Sequence, residues 1–332
     1  VGGLFGGDIH RAARRGFRIT RGRYFQRFLG SVRVGLPLEF LAAPNFRLYL
    51  RVSREARRKM AGLLAGQVAL VTGGGRGIGK GIALRFAGEG AAVALTSRNK
   101  AQLDQVAGEI ESAGGRALAV SGDVTKRDDV ARVVNTATEK LGAVTVLVNN
   151  AGIAGPYGPI RVVDPDQWWA AQEVHVRAPM LFMSAVLPGM IERRAGRIIN
   201  ISSPRCHMLT PSLSAYSLGK SSQNRLAELV ANEVKEYGVT AFALDPGSIM
   251  TEMADETMSN PDAQRWVPKM VERLNQMKGK IGPQEGMAWC TDRCLALATG
   301  RYDALSGRYI DRTDDPEQLL KQPPPKPPRT NP

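Results

Sequence analysis

Along the middle of the chain, short apolar blocks alternate with longer stretches whose apolar residues fall at helical spacing. Val68–Val71 stops at a glycine cluster, as a parallel strand buried on both faces does when it enters a helix. Ile78–Ala87 then takes up helical spacing. The same alternation predicts strands at Ala92–Thr96, Ala117–Val120, Val144–Val148, Arg197–Ile201, Val239–Leu244 and Gly307–Ile310. Helices are predicted over Lys100–Ala113, Asp128–Leu141 and Ser214–Tyr237. A longer one over Asp166–Arg193 contains Pro179 and Pro188, which are expected to kink or break it. Strands alternating with helices in this way imply βαβ units with right-handed crossovers. The expected fold class is therefore α/β, a doubly wound Rossmann-type parallel sheet with helices on both faces. No repeat or composition break interrupts residues 61–315, so a single domain is expected, flanked by extensions at 1–60 and 316–332.

Charge sharpens that division. The chain of 332 residues carries a net charge of +14, with 43% hydrophobic and 23% charged residues, which excludes wholesale disorder. Residues 1–60 hold fourteen Lys and Arg against Asp8, Glu39 and Glu55, and the tail adds Lys321, Lys326 and Arg329 without an acid. The body between them is neutral, so its surface gives no reason to expect nucleic acid there. The basic extension leaves two readings open: a targeting segment or anionic-membrane and nucleic-acid contact, or sequence lying upstream of a native start at Met60. Serine is scarce there, with only Ser31 and Ser53, which argues against an organellar transit peptide. Its most apolar stretch, Leu36–Leu50, is interrupted by Pro37, Glu39, Pro44 and Arg47, well short of the ~20 apolar residues of a span. The run Pro323–Pro325, Pro327 and Pro328 reads as an extended polyproline tail. Cys206, Cys290 and Cys294 are too few for a disulfide framework and lack zinc-site spacing, so a reducing, cytoplasmic location without a metal is expected.

The chemistry starts at Thr72-Gly73-Gly74-Gly75-Arg76-Gly77-Ile78-Gly79, between the first body strand and its helix. Glycines there let the backbone turn tightly and bring a pyrophosphate to the helix N-terminus. The stretch is not a P-loop, because Gly81 stands where a Ser or Thr must hold magnesium. The second strand ends Thr96-Ser97-Arg98, with no acid for the ribose hydroxyls of NAD. Arg98 and Arg76 together suit a 2′-phosphate, so NADP(H) is expected over NAD(H).

With Asp123-Val124, Asn149-Asn150-Ala151-Gly152, Ser202-Ser203, Tyr216-x-x-x-Lys220, and Pro246-Gly247 with Thr251 in this order, the chain resembles the short-chain dehydrogenase/reductase family over about Leu63–Asp311. Tyr216 and Lys220 are four residues apart on a predicted helix and share a face, where an ammonium would lower the phenol pKa from about 10. The resemblance implies Tyr216 as proton donor and acceptor, Lys220 also binding the nicotinamide ribose, and Ser203 holding the substrate oxygen, with Ser202 as runner-up. It further implies Asp123 at the adenine, Val124 beside it, Asn150, Ala151 and Gly152 along the cofactor cleft, and Pro246, Gly247, Ile249 and Thr251 near the nicotinamide. Asn149 reads either as part of that cleft or as a brace for the sheet. His175 stands where the family has an asparagine in its proton relay. It either sustains that relay or is a replacement without catalytic meaning.

Specificity is expected in Pro204–Ser212 and between Pro246 and Gly282, where Met250, Met253, Met258, Met270, Met277 and Trp266 suit an irregular, hydrophobic carbonyl or alcohol substrate. A lid helix covering the protein's own core accounts for the methionines equally well. The leading expectation is an oxidoreductase moving hydride between a nicotinamide and a carbonyl or secondary alcohol. The alternative is a cofactor-binding scaffold with weakened catalysis. The resemblance also implies a homodimer or homotetramer formed through the helices around Asp166–Arg193 and Ser214–Tyr237.

Overall fold

The computed structural model describes residues 62–278 and 283–322, together with three strands within 17–37. Those three, β1 (Phe17–Ile19), β2 (Tyr24–Leu29) and β3 (Val32–Pro37), pair antiparallel in the order β1-β2-β3, in a segment where the sequence suggested no element. The remainder of the basic extension and the polyproline run lie outside the described residues.

The second unit contains one seven-stranded sheet. Its strands are β4 (Val68–Thr72), β5 (Ala92–Ser97), β6 (Arg116–Ser121), β7 (Val146–Asn149), β8 (Gly196–Ile201), β9 (Val239–Leu244) and β10 (Tyr309–Ile310). They lie in the order β10-β9-β8-β7-β4-β5-β6, and every pairing is parallel. All five residues of β4 and all six of β9 are buried, which explains why these strands are almost wholly apolar. One core, containing Val71, Ile82, Phe86, Leu103 and Ile110, covers one face. A second, containing Leu70, Val133, Phe182, Met190 and Val230, covers the other.

Helices α1 (Gly77–Gly88), α2 (Lys100–Ser112) and α3 (Arg127–Leu141) follow β4, β5 and β6. The α2 N-terminus is capped by Asn99, whose side chain accepts from the Gln102 N–H. Helix α3 buries Val130, Val133, Val134 and Ala137, while Asp128 and Asp129 in its first turn complement its dipole. The long helix is not broken by its prolines. It runs Pro165–Glu192 as α4 (Pro165–Gln172), a π-turn (Glu173–Arg177) and α5 (Ala178–Glu192). Ala178 N–H reaches back to Glu173 O across the widened turn, immediately before Pro179 removes the next donor. This helix has the length and apolar content of a membrane span, but Phe182, Met183, Val186 and Met190 are buried in the core.

After β8 come α6 (Ser214–Glu233) and a 3-10 turn at Lys235–Tyr237. After β9 come α7 (Glu252–Ser259), α8 (Pro261–Trp266), α9 (Pro268–Lys278) and α10 (Pro283–Ala298). A short α11 (Pro316–Leu319) packs back on the body: Pro316 is buried, and Tyr302 donates to Glu317 at 3.0 Å. The ordered body thus reaches past residue 315, where the sequence placed the tail.

The chain winds outward from β4 through β5 to β6, then restarts at β7 and winds the other way to β10. The loops leaving β4 and β7 therefore part at the carboxyl edge of the sheet. The crevice between them is where an open α/β sheet binds ligands.

Candidate active site

At the β4–α1 turn, Gly73 and Gly77 adopt φ of +65° and +51°, which side chains disfavour. A Cβ at Gly79 would lie 2.2 Å from the Gly73 carbonyl oxygen, so helix and loop touch backbone to backbone. Arg76 is the N-cap of α1 and makes no side-chain capping bond, which leaves the first N–H groups of the helix free for an anion. Gly73, Gly75, Arg76, Gly77 and Ile78 line the crevice with Ser97, Gln102, Asn150, Ala151, Gly152, His175, Tyr216, Lys220, Pro246 and Thr251. A cradle floored by glycines and headed by an uncapped helix fits a dinucleotide pyrophosphate.

Thr72 does not line this cleft. Its hydroxyl accepts from the N–H groups of Asn150 and Ala151, each at 3.0 Å, and so ties the β7 loop to the glycine loop. Asn150 Nδ2 returns the tie to Thr72 O at 2.9 Å. Asn149 braces the sheet: its Nδ2 donates to Asn200 Oδ1 at 2.9 Å, and Asn200 in turn donates to Gln223 O at 3.0 Å.

Arg76, Ser97, Arg98, Asn99, Lys100 and Gln102 surround a depression at the far end of the cleft. Arg76 is ion-paired with Glu256 of α7 at 2.7 Å, and Lys100 is paired with Asp104. Asp123 and Val124 do not line the main crevice. The Asp123 carboxylate accepts from Thr125 N–H at 2.9 Å and its hydroxyl at 2.8 Å. Burial alone would raise the Asp123 pKa, but these two bonds and the charges of Arg98 and Lys126 hold it below the usual range. Val124 packs on the core.

Ser203 closes β8 and caps the turn Pro204–Cys206, its Oγ accepting from Arg205 N–H at 3.3 Å. Ser202 and Ser203 are both buried and both line the substrate side of the cleft, but the Ser202 hydroxyl is bonded to Asn224. Tyr216 stands in the first turn of α6, where the cofactor cleft meets a second, more apolar pocket. Burial pushes its phenol pKa up, and hydrogen bonding to Ser203 pulls it back.

Lys220, one turn on, is buried and lies 5.7 Å from the centre of the Tyr216 ring. Its ammonium donates to Ile201 O at 2.7 Å and to Gln223 Oε1 at 3.1 Å. Burial lowers its own pKa to about 7. The expected lowering of the Tyr216 pKa by Lys220 is therefore not the dominant effect here; desolvation of both groups outweighs it.

His175 sits inside the π-turn, fully buried. Its Nε2–H donates to Ile153 O at 2.8 Å, which leaves Nδ1 as a bare acceptor with no partner. Its ring meets Tyr216 edge-on, with centroids 5.4 Å apart. Burial, and then the charge on Lys220, press its pKa down to about 3. A neutral imidazole at this position can orient a water but does not store a proton at neutral pH. Gly219 makes room for it, since a Cβ there would lie 2.6 Å from the His175 Cβ. The sequence reading passed over Gly219; its one signal was an isolated glycine in a helical stretch.

The second pocket is lined by Tyr157, Met208, Leu213, Met253, Met270, Leu274 and Met277, with Ser203, Arg205, Gly247, Ile249, Thr251 and Arg273. Three of the five expected methionines are present; Met250 and Met258 do not line it, while Met208 comes from the other expected segment. Trp266 instead packs at Gly158. Trp168 donates from Nε1 to Ser214 Oγ at 3.0 Å, and so anchors α4 to the start of α6.

A parallel sheet with a glycine-lined crevice at its switch point, meeting a buried serine and lysine and a half-buried tyrosine, defines a nicotinamide-dependent oxidoreductase of the Rossmann type. The chain belongs to the short-chain dehydrogenase/reductase family: the family profile described as short chain dehydrogenase matches residues 67–262. It is 35% identical over 271 residues to a short chain dehydrogenase of Pseudocercospora fijiensis, covering 80% of this chain and 86% of that one. It is also 35% identical to a 3-oxoacyl-[acyl-carrier-protein] reductase of Synechocystis over 248 residues, 74% of this chain and 98% of that protein. Among solved structures, a gluconate 5-dehydrogenase from Burkholderia cenocepacia, in complex with NADP and tartrate, matches with a TM-score of 0.65 and 28% identity. That match covers 75% of this chain and 94% of the other. Enzymes of the family act on CH–OH or C=O groups with a nicotinamide cofactor.

Proposed function

We propose that this protein is an NADP(H)-dependent reductase or dehydrogenase of a carbonyl or secondary alcohol, with Tyr216 as its acid–base group. The observation that carries this reading is the position of Tyr216 where the cofactor cleft and the apolar pocket join, beside Ser203 and Lys220. Ser203 holds the substrate oxygen through its hydroxyl, and Tyr216 gives a proton to that oxygen or takes one from it. Lys220 and the neutral His175 set the electrostatics behind the phenol, and the free Nδ1 of His175 accepts from a water. Gly73, Gly75, Gly77, Ile78 and Gly79 receive the pyrophosphate, Gly152 and Thr251 flank the nicotinamide end, and Ser97, Arg76 and Arg98 favour a 2′-phosphate over a bare ribose. When bound, the nicotinamide supplies or accepts the hydride.

Exposed Trp169, Met180, Leu218 and Leu229 lie on the long helix and on α6, and they support assembly through these helices as a dimer or tetramer. A cofactor-binding scaffold with weak catalysis is the competing reading, favoured by a Lys220 committed to Ile201 and Gln223.

The deciding experiment titrates NADPH and NADH into wild type and Tyr216→Phe and follows both with a carbonyl and alcohol screen. Tighter NADPH binding is expected in both proteins, with kcat about 10²- to 10⁴-fold lower in the variant. Cofactor binding without turnover by either protein would favour the scaffold, and equal turnover by the two would remove Tyr216 from the acid–base role.

A further inference from the structure

Helix α9 turns Met270, Leu274 and Met277 into the apolar pocket, and Arg273 lines it with them. Arg273 itself is exposed, so its charge stands at the solvent side of that apolar stripe. Arg205 enters the same pocket from the turn after β8, two residues beyond Ser203. The two cations are 68 positions apart in sequence, and only the fold brings them together.

Neither guanidinium meets a carboxylate. Arg205 uses one of its five donors on Thr210 Oγ1 at 3.0 Å. Arg273 makes no hydrogen bond or ion pair among the described residues. The charges felt at Arg205 are Arg273, which opposes it, and Tyr216, and burial already disfavours its charged form. The acids nearby do not pair with them: Asp245, at the pocket wall, accepts from Gly247 N–H at 2.9 Å through Oδ1, and burial, which leaves its Oδ2 without a partner among the described residues, pushes its pKa up, while Glu256 is paired with Arg76. Two cations that share one pocket repel each other, and an anion bound between them relieves that repulsion.

We infer that the substrate is an oxo or hydroxy acid: an apolar body whose carbonyl or hydroxyl lies at Ser203 and Tyr216 and whose carboxylate is held between Arg205 and Arg273. This specificity rests on the oxidoreductase reading above. The methionines and Leu274 take the apolar body, and the arginines fix which end points outward.

The test uses the full chain with 4-oxopentanoate, 5-oxohexanoate, 6-oxoheptanoate and 7-oxooctanoate, each against its methyl ester, which differs in little but charge. For at least one chain length, kcat/KM for the acid is expected to exceed that for the ester by about 10- to 100-fold, the range of a charge-assisted contact. In Arg273→Gln and Arg205→Gln that acid-to-ester ratio is expected to fall about tenfold or more, through KM. Binding is measured apart from turnover by calorimetry on Tyr216→Phe, with and without NADP. A protein that binds the acids but reduces none overturns the oxidoreductase reading and leaves the carboxylate site at Arg205 and Arg273 standing. Equal or tighter binding of every ester, no binding of any acid, or a ratio unmoved by both arginine substitutions overturns the inference.

Discussion

Tyr216, Lys220 and His175 are three titratable side chains packed together at the edge of the crevice, and desolvation is the largest influence on all three. Each is driven toward its neutral form, whatever its neighbours offer. For His175 the consequence is measurable in stability. Its folded pKa of about 3 lies below the unfolded value of about 6.5, so the unfolded chain takes up a proton in that window that the folded chain refuses. The stability tied to this site is therefore full above pH 6.5 and drains away as pH falls. Urea denaturation of wild type from pH 7 to 4 is expected to show an extra loss of about 3 kcal/mol relative to His175→Asn. Identical pH slopes would mean the imidazole is hydrated or charged in the folded protein.

Elements carry the next layer. The glycines of α1 and α2 separate two reasons for having no side chain. At Gly79 an added methyl meets the Gly73 carbonyl, main chain that cannot swing aside. Gly79→Ala is expected to destabilise by about 1–3 kcal/mol and to weaken NADPH binding together with stability. Gly108, inside α2, has nothing within 4 Å of such a methyl. Gly108→Ala is expected to stabilise by about 0.5–1 kcal/mol through helix propensity, with cofactor affinity unchanged. Paired thermal melts and NADPH titrations check both.

The strands were legible because β4, β5, β7, β8 and β9 are almost wholly buried and are mostly apolar in sequence. The continuous helix through Pro179 was not legible. A proline reads as a break, and the π-turn that absorbs it is a backbone rearrangement without a composition signal. Thr72 is a similar case: its place in the motif suggested cofactor contact, yet its hydroxyl faces the β7 loop.

At the scale of the whole molecule, four exposed large apolar side chains, Trp169, Met180, Leu218 and Leu229, lie on the long helix and α6. Leu218 and Leu229 are eleven residues apart, about three turns, and so share a face of α6. Sedimentation is expected to find wild type as a dimer or tetramer. Leu218→Lys with Leu229→Lys is expected to move it to the monomer, with helical content kept by circular dichroism. A wild-type monomer would end the assembly proposal.

The amino-acid sequence alone determined the strand and helix order, the glycine loop, and the four-residue step from Tyr216 to Lys220, because each of these is a local pattern of period, turn and spacing. Tertiary structure decided everything that depends on which groups lose water together. It bonded the hydroxyl of Ser202 to Asn224, turned the Lys220 ammonium toward Ile201 and Gln223, and brought Arg205 and Arg273 to one pocket. Burial and long-range charge are properties of the packed molecule, and no stretch of chain carries them by itself.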